Sequence, residues 1–377
     1  MTGIKKGSGK MTINDKIINW IADRVEHDYA EDIALILLYG SYVNGTANAK
    51  SDVDCYFIPR TERGYEFSAD FIIQGVGYDI FPMSWERVEG IADLKEIIIP
   101  CVGDVKVLYY HSADELEKFK HLQRKLQDNL NNPDYTRRIA KEKFERACKL
   151  YSQLKNCNKL MEVRLFAGDI MMTLADAVAI YNQDYFHFGL KRQYEDLHKF
   201  ENIPVHFIEE YENVIKSEKA EELKIHCRNL IKLFADLVAA DFVEDEEKQQ
   251  EKAVADAISP NTDFYFLARV YEEISSTFNK IYVCTETGNF ILAFLSAVCL
   301  QNEFKEIAKE QGIECYDILS AYHYQDLGEL AKAARKAERD FVRTITDSGE
   351  KIKRFRDFEE FEREIQSLCF THESPFQ

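Results

Sequence analysis

Hydrophobic and polar positions follow two different patterns along the chain, and the change comes near residue 112. Before this point, short apolar runs alternate with turns that contain Gly or Pro, which is typical of buried strands. Five segments are predicted to be strands: 33–38, 53–58, 69–73, 76–81 and 105–110. Apolar residues at helical spacing predict an opening helix over 12–29, and shorter helices are predicted after Ser41 and over 84–94. The first part of the chain is therefore predicted to be a mixed α/β unit.

Beyond residue 112 the strand patterns almost vanish, and long amphipathic periodicities predict helices. A helix start is predicted at Asn132-Pro133-Asp134, with Pro in the first turn. Three further helical stretches are predicted, over 135–156, 161–181 and 261–300. The expected fold class is α+β, in which a mixed sheet with flanking helices precedes a large all-helical C-terminal domain. The predicted parts are a flexible tail over 1–10, a sheet domain over 11–112 and a helical domain over 113–377, with a subdivision near 245–260.

The charge balance narrows the classes of partner. The 377 residues carry a formal net charge of −18, with a sequence pI near 5.1. Affinity for nucleic acids comes largely from Lys and Arg that neutralise phosphates, so binding of extended DNA or RNA is not expected. Hydrophobic residues make up 46% of the chain and charged residues 30%, which is the composition of a folded globular protein.

Cysteine spacing and the absence of targeting patterns indicate a compartment. The nine cysteines include no CxxC pair, and they are expected to be reduced thiols. No signal peptide is recognised at the N-terminus, and no apolar run approaches the length that spans a bilayer. We expect a cytoplasmic protein without a membrane segment, and the sequence gives no indication of its oligomeric state.

The residues that carry chemistry lie between the first two predicted strands. The first strand ends in Tyr39-Gly40-Ser41, and Asp52 and Asp54 fall on the second. Alternation along a strand sends these two aspartates to the same face. Val53 and Cys55 are expected to point to the other face, and two carboxylates with no His or Cys on their own face suit Mg²⁺, which takes hard oxygen ligands and phosphate oxygens. Gly40 and Ser41 are expected to hold phosphate, through close backbone approach and through the Ser41 hydroxyl and amide.

A third carboxylate is predicted on a later strand. Asp79 alternates with the apolar residues of 76–81, so it is expected to join Asp52 and Asp54 if the two strands are neighbours. Three carboxylates can hold two metal ions, and Asp79 is also a candidate general base. Further candidates for nucleotide binding are Thr46, Lys50 and Ser51 in the connecting segment.

The order of these residues resembles the nucleotidyltransferase superfamily of DNA polymerase β. Its pattern is a hydrophobic strand, Gly-Ser, about a dozen residues, Asp-x-Asp and a later acidic residue, which correspond here to Gly40, Ser41, Asp52, Asp54 and Asp79. A small catalytic domain followed by helices is similar to kanamycin-type and other antibiotic nucleotidyltransferases. The resemblance assigns 11–112 as the catalytic domain and 113–377 as the acceptor-binding domain.

The resemblance implies transfer of an NMP group from an NTP, with ATP as the first candidate, to an acceptor hydroxyl. It also implies Mg²⁺ or Mn²⁺ as the cofactor, with Asp52, Asp54 and Asp79 as its ligands, and a small acceptor of the aminoglycoside type. Two alternatives remain open. One is a toxin–antitoxin type nucleotidyltransferase that modifies a protein or tRNA, and the other is a non-enzymatic helical interaction module with a degenerate catalytic domain.

Overall fold

The computed structural model describes residues 11–47, 51–239 and 262–371. The predicted tail over 1–10 and the predicted subdivision near 245–260 lie outside these residues. The six strands are β1 (Ile33–Tyr39), β2 (Asp54–Pro59), β3 (Ala69–Ile73), β4 (Val76–Pro82), β5 (Lys106–Tyr110) and β6 (Arg354–Phe355). All five predicted strands are confirmed to within about two residues at each end.

The fourteen described α-helices include all the predicted ones. Their bounds are α1 (Ile13–Asp28), α2 (Gly40–Val43), α3 (Trp85–Ala92), α4 (Pro100–Gly103), α5 (Ala113–Leu130), α6 (Pro133–Leu154), α7 (Leu160–Tyr181), α8 (Gln193–Leu197), α9 (Phe207–Lys216), α10 (Ala220–Val238), α11 (Phe264–Thr287), α12 (Phe290–Gln311), α13 (Gly328–Asp347) and α14 (Phe358–Thr371). The predicted stretch 261–300 forms two helices, because Gly288 adopts a left-handed φ of 70° that ends α11.

The strands form one mixed sheet in the order β5-β1-β2-β4-β3-β6. Strand β1 pairs antiparallel with β2 and β5, β2 runs parallel to β4, and β3 is antiparallel to β4. The fold is therefore α+β, with a mixed sheet followed by a large helical region. No helix within the described ranges is long and apolar enough to cross a membrane.

Side-chain alternation gives the sheet two apolar faces. Cys55 and Phe57 on β2 pack on one face together with α1, and Tyr56 and Ile58 pack on the other face, towards the helical region. Helix α1 begins at a capping box in which Thr12 and Asp15 bond reciprocally. The second face is the one that carries the candidate site.

The C-terminal end of the chain returns to the sheet, which the hydrophobic pattern did not predict. Strand β6 pairs in parallel with β3, and α14 packs beside α1. Phe361 is fully buried there, with its ring centroid 4.9 Å from that of Trp20 and 4.3 Å from that of Phe71. The sheet unit is thus built from both ends of the sequence, with the helical region between them.

Candidate active site

Acidic side chains lie in a row across three neighbouring strands, on the face that looks towards the helical region. Asp54 opens β2 opposite Tyr39 of β1, and β2 pairs with β4 so that Cys55 faces Ile80. One position earlier, this register places Asp54 beside Asp79. Asp70 of β3 pairs directly with Asp79. Because neighbouring strands lie about 4.8 Å apart, consecutive members of this row are within reach of one another.

Gly40 is required by the close approach of Asp54. The backbone at Gly40 has a φ of +68°, and a Cβ atom built there would lie 1.9 Å from Oδ2 of Asp54. Any side chain would therefore displace the carboxylate or bend the turn. In the structure, the Asp54 carboxylate lies against Gly40, and phosphate binding at the Gly40-Ser41 turn stays a prediction.

The turn after β1 supports Asp54 through a backbone group. The backbone N–H of Ser41 donates a hydrogen bond to the Asp54 carboxylate. The N–H and the hydroxyl of Thr46 both donate to Oδ1 of Asn44, at 3.1 and 2.7 Å, and this closes the following turn. Thr46 therefore shapes the segment after Ser41. Lys50 lies outside the described residues.

The backbone at Asp52 is fixed by the opening helix. Nδ2 of Asn14, in α1, donates to the carbonyl oxygen of Ser51 at 2.9 Å and approaches that of Asp52 at 3.4 Å. The Tyr78 hydroxyl in turn donates to Oδ1 of Asn14 at 2.8 Å. This chain of bonds holds the approach to β2, which begins at Asp54, so that Asp52 lies just before the strand.

Burial disfavours negative charge on the Asp52–Asp54 pair, and the lysines near the pair offset this effect only in part. Burial raises the pKa of Asp52, and burial together with the charge of Asp52 raises the pKa of Asp54 to about 7. The ammonium groups of Lys280 in α11 and Lys191 oppose both shifts. Mg²⁺ is commonly bound by one or two carboxylates together with phosphate oxygens. The pair therefore fits a divalent cation that arrives with a nucleotide.

Asp79 has a different set of partners. Its carboxyl group is hydrogen-bonded to Asp70, and burial, this bond and the Asp70 charge raise its pKa to about 9. Glu273 of α11 raises this pKa further, and Arg269 opposes the shift. Across the described parts of the chain, no three His, Cys, Asp or Glu side chains are grouped closely enough to hold a metal ion. A metal-binding role for Asp79 stays a prediction.

Several residues around the site were not predicted from the sequence. They are Asn14, Asp70, Lys191, Arg269 and Lys280. Asp70 could have been found from strand alternation, because it precedes the apolar run 71–73 and sits opposite Asp79 if the two strands form a hairpin. Lys191, Arg269 and Lys280 come from the helical region, and no local pattern indicates that they approach the sheet.

Comparison with known protein families supports nucleotide transfer as the general function of this site. Residues 18–146 match the family model of the nucleotidyltransferase domain. The match begins inside α1, includes strands β1 to β5 and ends inside α6, beyond the boundary at residue 112 expected from the hydrophobic pattern. No curated protein sequence matches the chain. The matched segment is thus similar to the superfamily of DNA polymerase β, and this similarity indicates transfer of nucleoside monophosphates in general.

Proposed function

We propose that this protein transfers an NMP group from an NTP, with ATP as the first candidate, to a hydroxyl group of a small acceptor and releases pyrophosphate. The observation that carries the proposal is the half-buried Asp52–Asp54 pair beside the Gly40-Ser41 turn. Its location in a segment that matches the nucleotidyltransferase domain supports the same reaction.

We assign Asp52 and Asp54 to hold Mg²⁺ or Mn²⁺, with Asp79 as a third ligand on the neighbouring strand. When bound, the cation neutralises charge on the transferred phosphoryl group and helps a hydroxyl lose its proton. The chain's own residues fix the two oxygen donors. The Ser41 N–H orients the Asp54 carboxylate, and Asn14 fixes the backbone on the N-terminal side of Asp52.

Phosphate binding is proposed for both sides of the site. On the sheet side the candidates are Gly40, Ser41, Thr46, Lys50 and Ser51. Lys191 and Lys280 are added from the helical side, because their charges act on Asp52 and Asp54 and their side chains are exposed. An ammonium group close to these carboxylates can bind a phosphate oxygen of a nucleotide held there.

The helical region is proposed to supply the acceptor pocket, and its charge favours a cationic acceptor. Glu273 of α11 and Glu303 of α12 lie close enough to each other that the charge of Glu303 raises the pKa of Glu273. Burial is the larger cause of that shift, and the Asp70 charge adds to it, so that the pKa of Glu273 reaches about 7. An amine-rich acceptor of the aminoglycoside type would supply the missing positive charge.

The cytoplasm is the proposed compartment. Each cysteine whose side chain is described is free, and four of these, including Cys55 and Cys227, are buried. Free buried thiols are expected where the surroundings keep cysteines reduced.

The test is incubation with α-labelled NTPs, Mg²⁺ or Mn²⁺ and a panel of acceptors, with pyrophosphate release as the readout. Asp54→Asn keeps the side-chain shape but removes a charge that the cation needs. We expect the transfer activity to fall by more than about 100-fold, which is the largest typical loss when a group that only hydrogen-bonds to a metal ligand is removed. The matched control is Asp347→Asn, at the exposed last residue of α13. A wild-type protein that releases no pyrophosphate with any NTP and acceptor, or an Asp54→Asn variant of equal activity, would overturn the proposal.

The acceptor panel separates the substrate classes. It contains aminoglycosides, neutral sugars with comparable hydroxyl groups, tRNA and proteins. Transfer of label to aminoglycosides, weakened by Glu303→Gln and absent with neutral sugars, is the expected result. Label that appears only on tRNA or protein would contradict the small cationic acceptor and would leave the transferase reaction standing.

A further inference from the structure

Helix α4 is fixed next to the end of the sheet at which Asp54 lies. Tyr56 lies on the same face of β2 as Asp54, two positions further along the strand. Its hydroxyl donates to the carbonyl oxygen of Cys101, in α4, at 2.5 Å. Its ring centroid lies 6.0 Å from that of Tyr39, which pairs with Asp54. A segment that packs on α4 is therefore held close to the candidate site.

The segment 184–192, which follows α7 in the helical region, packs on α4 in this way. A Cβ atom at Gly103, the last residue of α4, would lie 2.0 Å from the hydroxyl oxygen of Tyr185. Only 4% of the surface of Tyr185 is exposed. This close approach of a buried side chain to the backbone of α4 fixes the distance between the segment and the helix.

His187 joins the same segment to the sheet unit through both of its ring nitrogens. Nδ1 lies 2.8 Å from Oδ2 of Asp104, which follows α4, and Nε2 lies 3.1 Å from Oδ1 of Asp184. Carboxylates accept hydrogen bonds, so both nitrogens donate and the ring carries a positive charge. The bonds to Asp104 and Asp184 raise the pKa of His187 to about 10, in agreement with a charged ring at neutral pH. His187 is therefore an ionic bridge between the helical region and the sheet unit.

The chain between His187 and Lys191 is held by local structure. The backbone N–H of Gly189 donates to the carbonyl oxygen of Phe186 at 3.0 Å, and Gly189 adopts a left-handed φ of 54°. A 3₁₀ turn over Gly189–Arg192 follows at once and contains Lys191. Because this connection is short and turned, a displacement of His187 is expected to move Lys191 as well.

Lys191 is the residue of the segment whose charge acts on both Asp52 and Asp54. We propose that His187 and Asp104 are positioning residues, which hold the segment 184–192 so that the Lys191 ammonium group meets a phosphate group of the bound nucleotide. This inference rests on the proposed function, since it assigns Lys191 to the phosphates. Ammonium groups form charge-assisted hydrogen bonds with phosphate oxygens, and such bonds require a close approach.

The test measures binding of α,β-methylene-ATP with Mg²⁺ by isothermal titration calorimetry, which needs no turnover. His187→Ala is expected to weaken binding at least about 10-fold, the typical effect of losing one hydrogen bond to a charged group. The KM for the NTP should rise by the same factor, with kcat nearly unchanged. The melting temperature should change little, because the ion pair is partly exposed. A lower kcat with unchanged affinity would overturn the proposal.

Double variants test the route from His187 to the nucleotide. Lys191→Ala alone should weaken binding of the analogue, and His187→Ala added to it should cause no further loss, because the group that His187 positions is gone. Additive losses would show that His187 acts by another route and would overturn the proposal.

The Asp104 side of the ion pair gives an independent arm. Asp104→Ala should weaken binding as His187→Ala does, and the double variant should be no weaker than either, because both changes break the same bond. Asp104→Asn keeps a hydrogen-bonding side chain of the same shape and should weaken binding less. Unchanged affinity in Asp104→Ala would contradict the inference, and Asp104→Asn carries the test if the alanine variants do not fold.

The matched control is His198→Ala. His198 is exposed at the end of α8, and its Nδ1 donates to the carbonyl oxygen of Tyr194 at 2.8 Å. This bond stays within one turn of the helix, so the variant should bind the analogue as the wild type does. Equal weakening in His198→Ala and His187→Ala would indicate a general loosening of this region and contradict the inference.

The readouts also separate this inference from the proposed function. Wild-type protein that binds the analogue but releases no pyrophosphate with any NTP and acceptor overturns the function and leaves the positioning test valid. A wild-type protein that does not bind the analogue overturns both. Transfer activity with unchanged affinity for the analogue in His187→Ala overturns only the positioning role.

Discussion

Gly40 shows how one residue type can be required by a contact that is distant in sequence. Its positive φ is a local demand of the turn, but the 1.9 Å approach to Asp54 is a demand of the tertiary structure. Gly45 also has a positive φ, of +76°, and nothing lies within 4 Å of its hypothetical Cβ atom. Substitutions at Gly40 and Gly45 therefore distinguish the effect of backbone strain from the effect of displacing the Asp54 carboxylate.

Gly40→Ala is expected to abolish nucleotide transfer, because the added methyl group displaces the Asp54 carboxylate. Gly45→Ala carries only the strain of the left-handed backbone, about 1–2 kcal/mol, and should keep most of the activity. Thermal melting and pyrophosphate release on both variants check the prediction. Equal activity losses in the two variants would show that strain alone matters.

The face on which a residue lies could be predicted from the sequence where strand alternation determines it. It could not be predicted where a contact with a residue distant in sequence determines it. Val53 is buried on the α1 side of the sheet, as alternation between Asp52 and Asp54 requires. The ion pair of Asp70 with Arg269 and the approach of Lys280 to Asp54 depend on the docking of α11, a helix that lies far along the chain from these aspartates. No local periodicity contains this information.

At the scale of elements, α11 is both a core helix and a wall of the candidate site. Leu267, Tyr271 and Phe278 form a buried apolar stripe, as the amphipathic periodicity predicted for 261–300 requires. The polar positions Arg269, Glu273 and Lys280 act on the aspartates of the sheet. The buried side of α11 could be predicted from its helical period, whereas the residues that its polar side approaches could not. A two-residue strand such as β6 likewise has too short a pattern to be found.

Glu272 of α11 gives a pH-dependent prediction. Only 1% of its surface is exposed, and its Oε2 atom has no hydrogen-bond partner, although the backbone N–H of Lys353 donates to Oε1. Burial raises its pKa to about 7. As the pH rises, the unfolded state, with a pKa of 4.5, loses this proton at a lower pH than the folded state does. The stability of the folded state therefore falls as the pH rises from about 4.5 to 7.

Glu272→Gln removes the buried charge and keeps an acceptor for Lys353. We expect a higher melting temperature than wild type at pH 8 and little difference at pH 5, where the wild-type side chain is already neutral. Glu362→Gln, at an exposed position of α14, is the control. Melting curves at pH 5 and pH 8 test this expectation. An equal rise in melting temperature at both pH values would show that the buried charge of Glu272 is not the cause.

At the scale of the whole molecule, the candidate site lies where the sheet unit and the helical region meet. The sheet supplies Asp52, Asp54 and Asp79, and the helical region supplies Lys191 and Lys280. The division expected near residue 112 marks a change in periodicity along the sequence. In the structure, the sheet unit also includes β6 and α14, which follow the helical region.

Phe361→Ala tests whether this C-terminal return stabilises the sheet unit. The ring is fully buried between Trp20, Phe71 and Phe355, so its removal should cost about 3–5 kcal/mol in the free energy of unfolding. Phe361→Leu fills most of the space and should lose less. Urea unfolding followed by Trp fluorescence measures both. Wild-type stability of the alanine variant would show that α14 is dispensable for the sheet.

The position of β6 has a consequence for synthesis of the chain on the ribosome. Strand β3 emerges early, but the strand that covers its outer edge is made only after the helical region. Until then the nascent sheet exposes an unpaired edge, which can pair with another chain. We expect ribosome-bound chains that stop before Arg354 to be captured by chaperones that recognise extended apolar segments, and release to follow once Phe355 and Phe361 have left the exit tunnel.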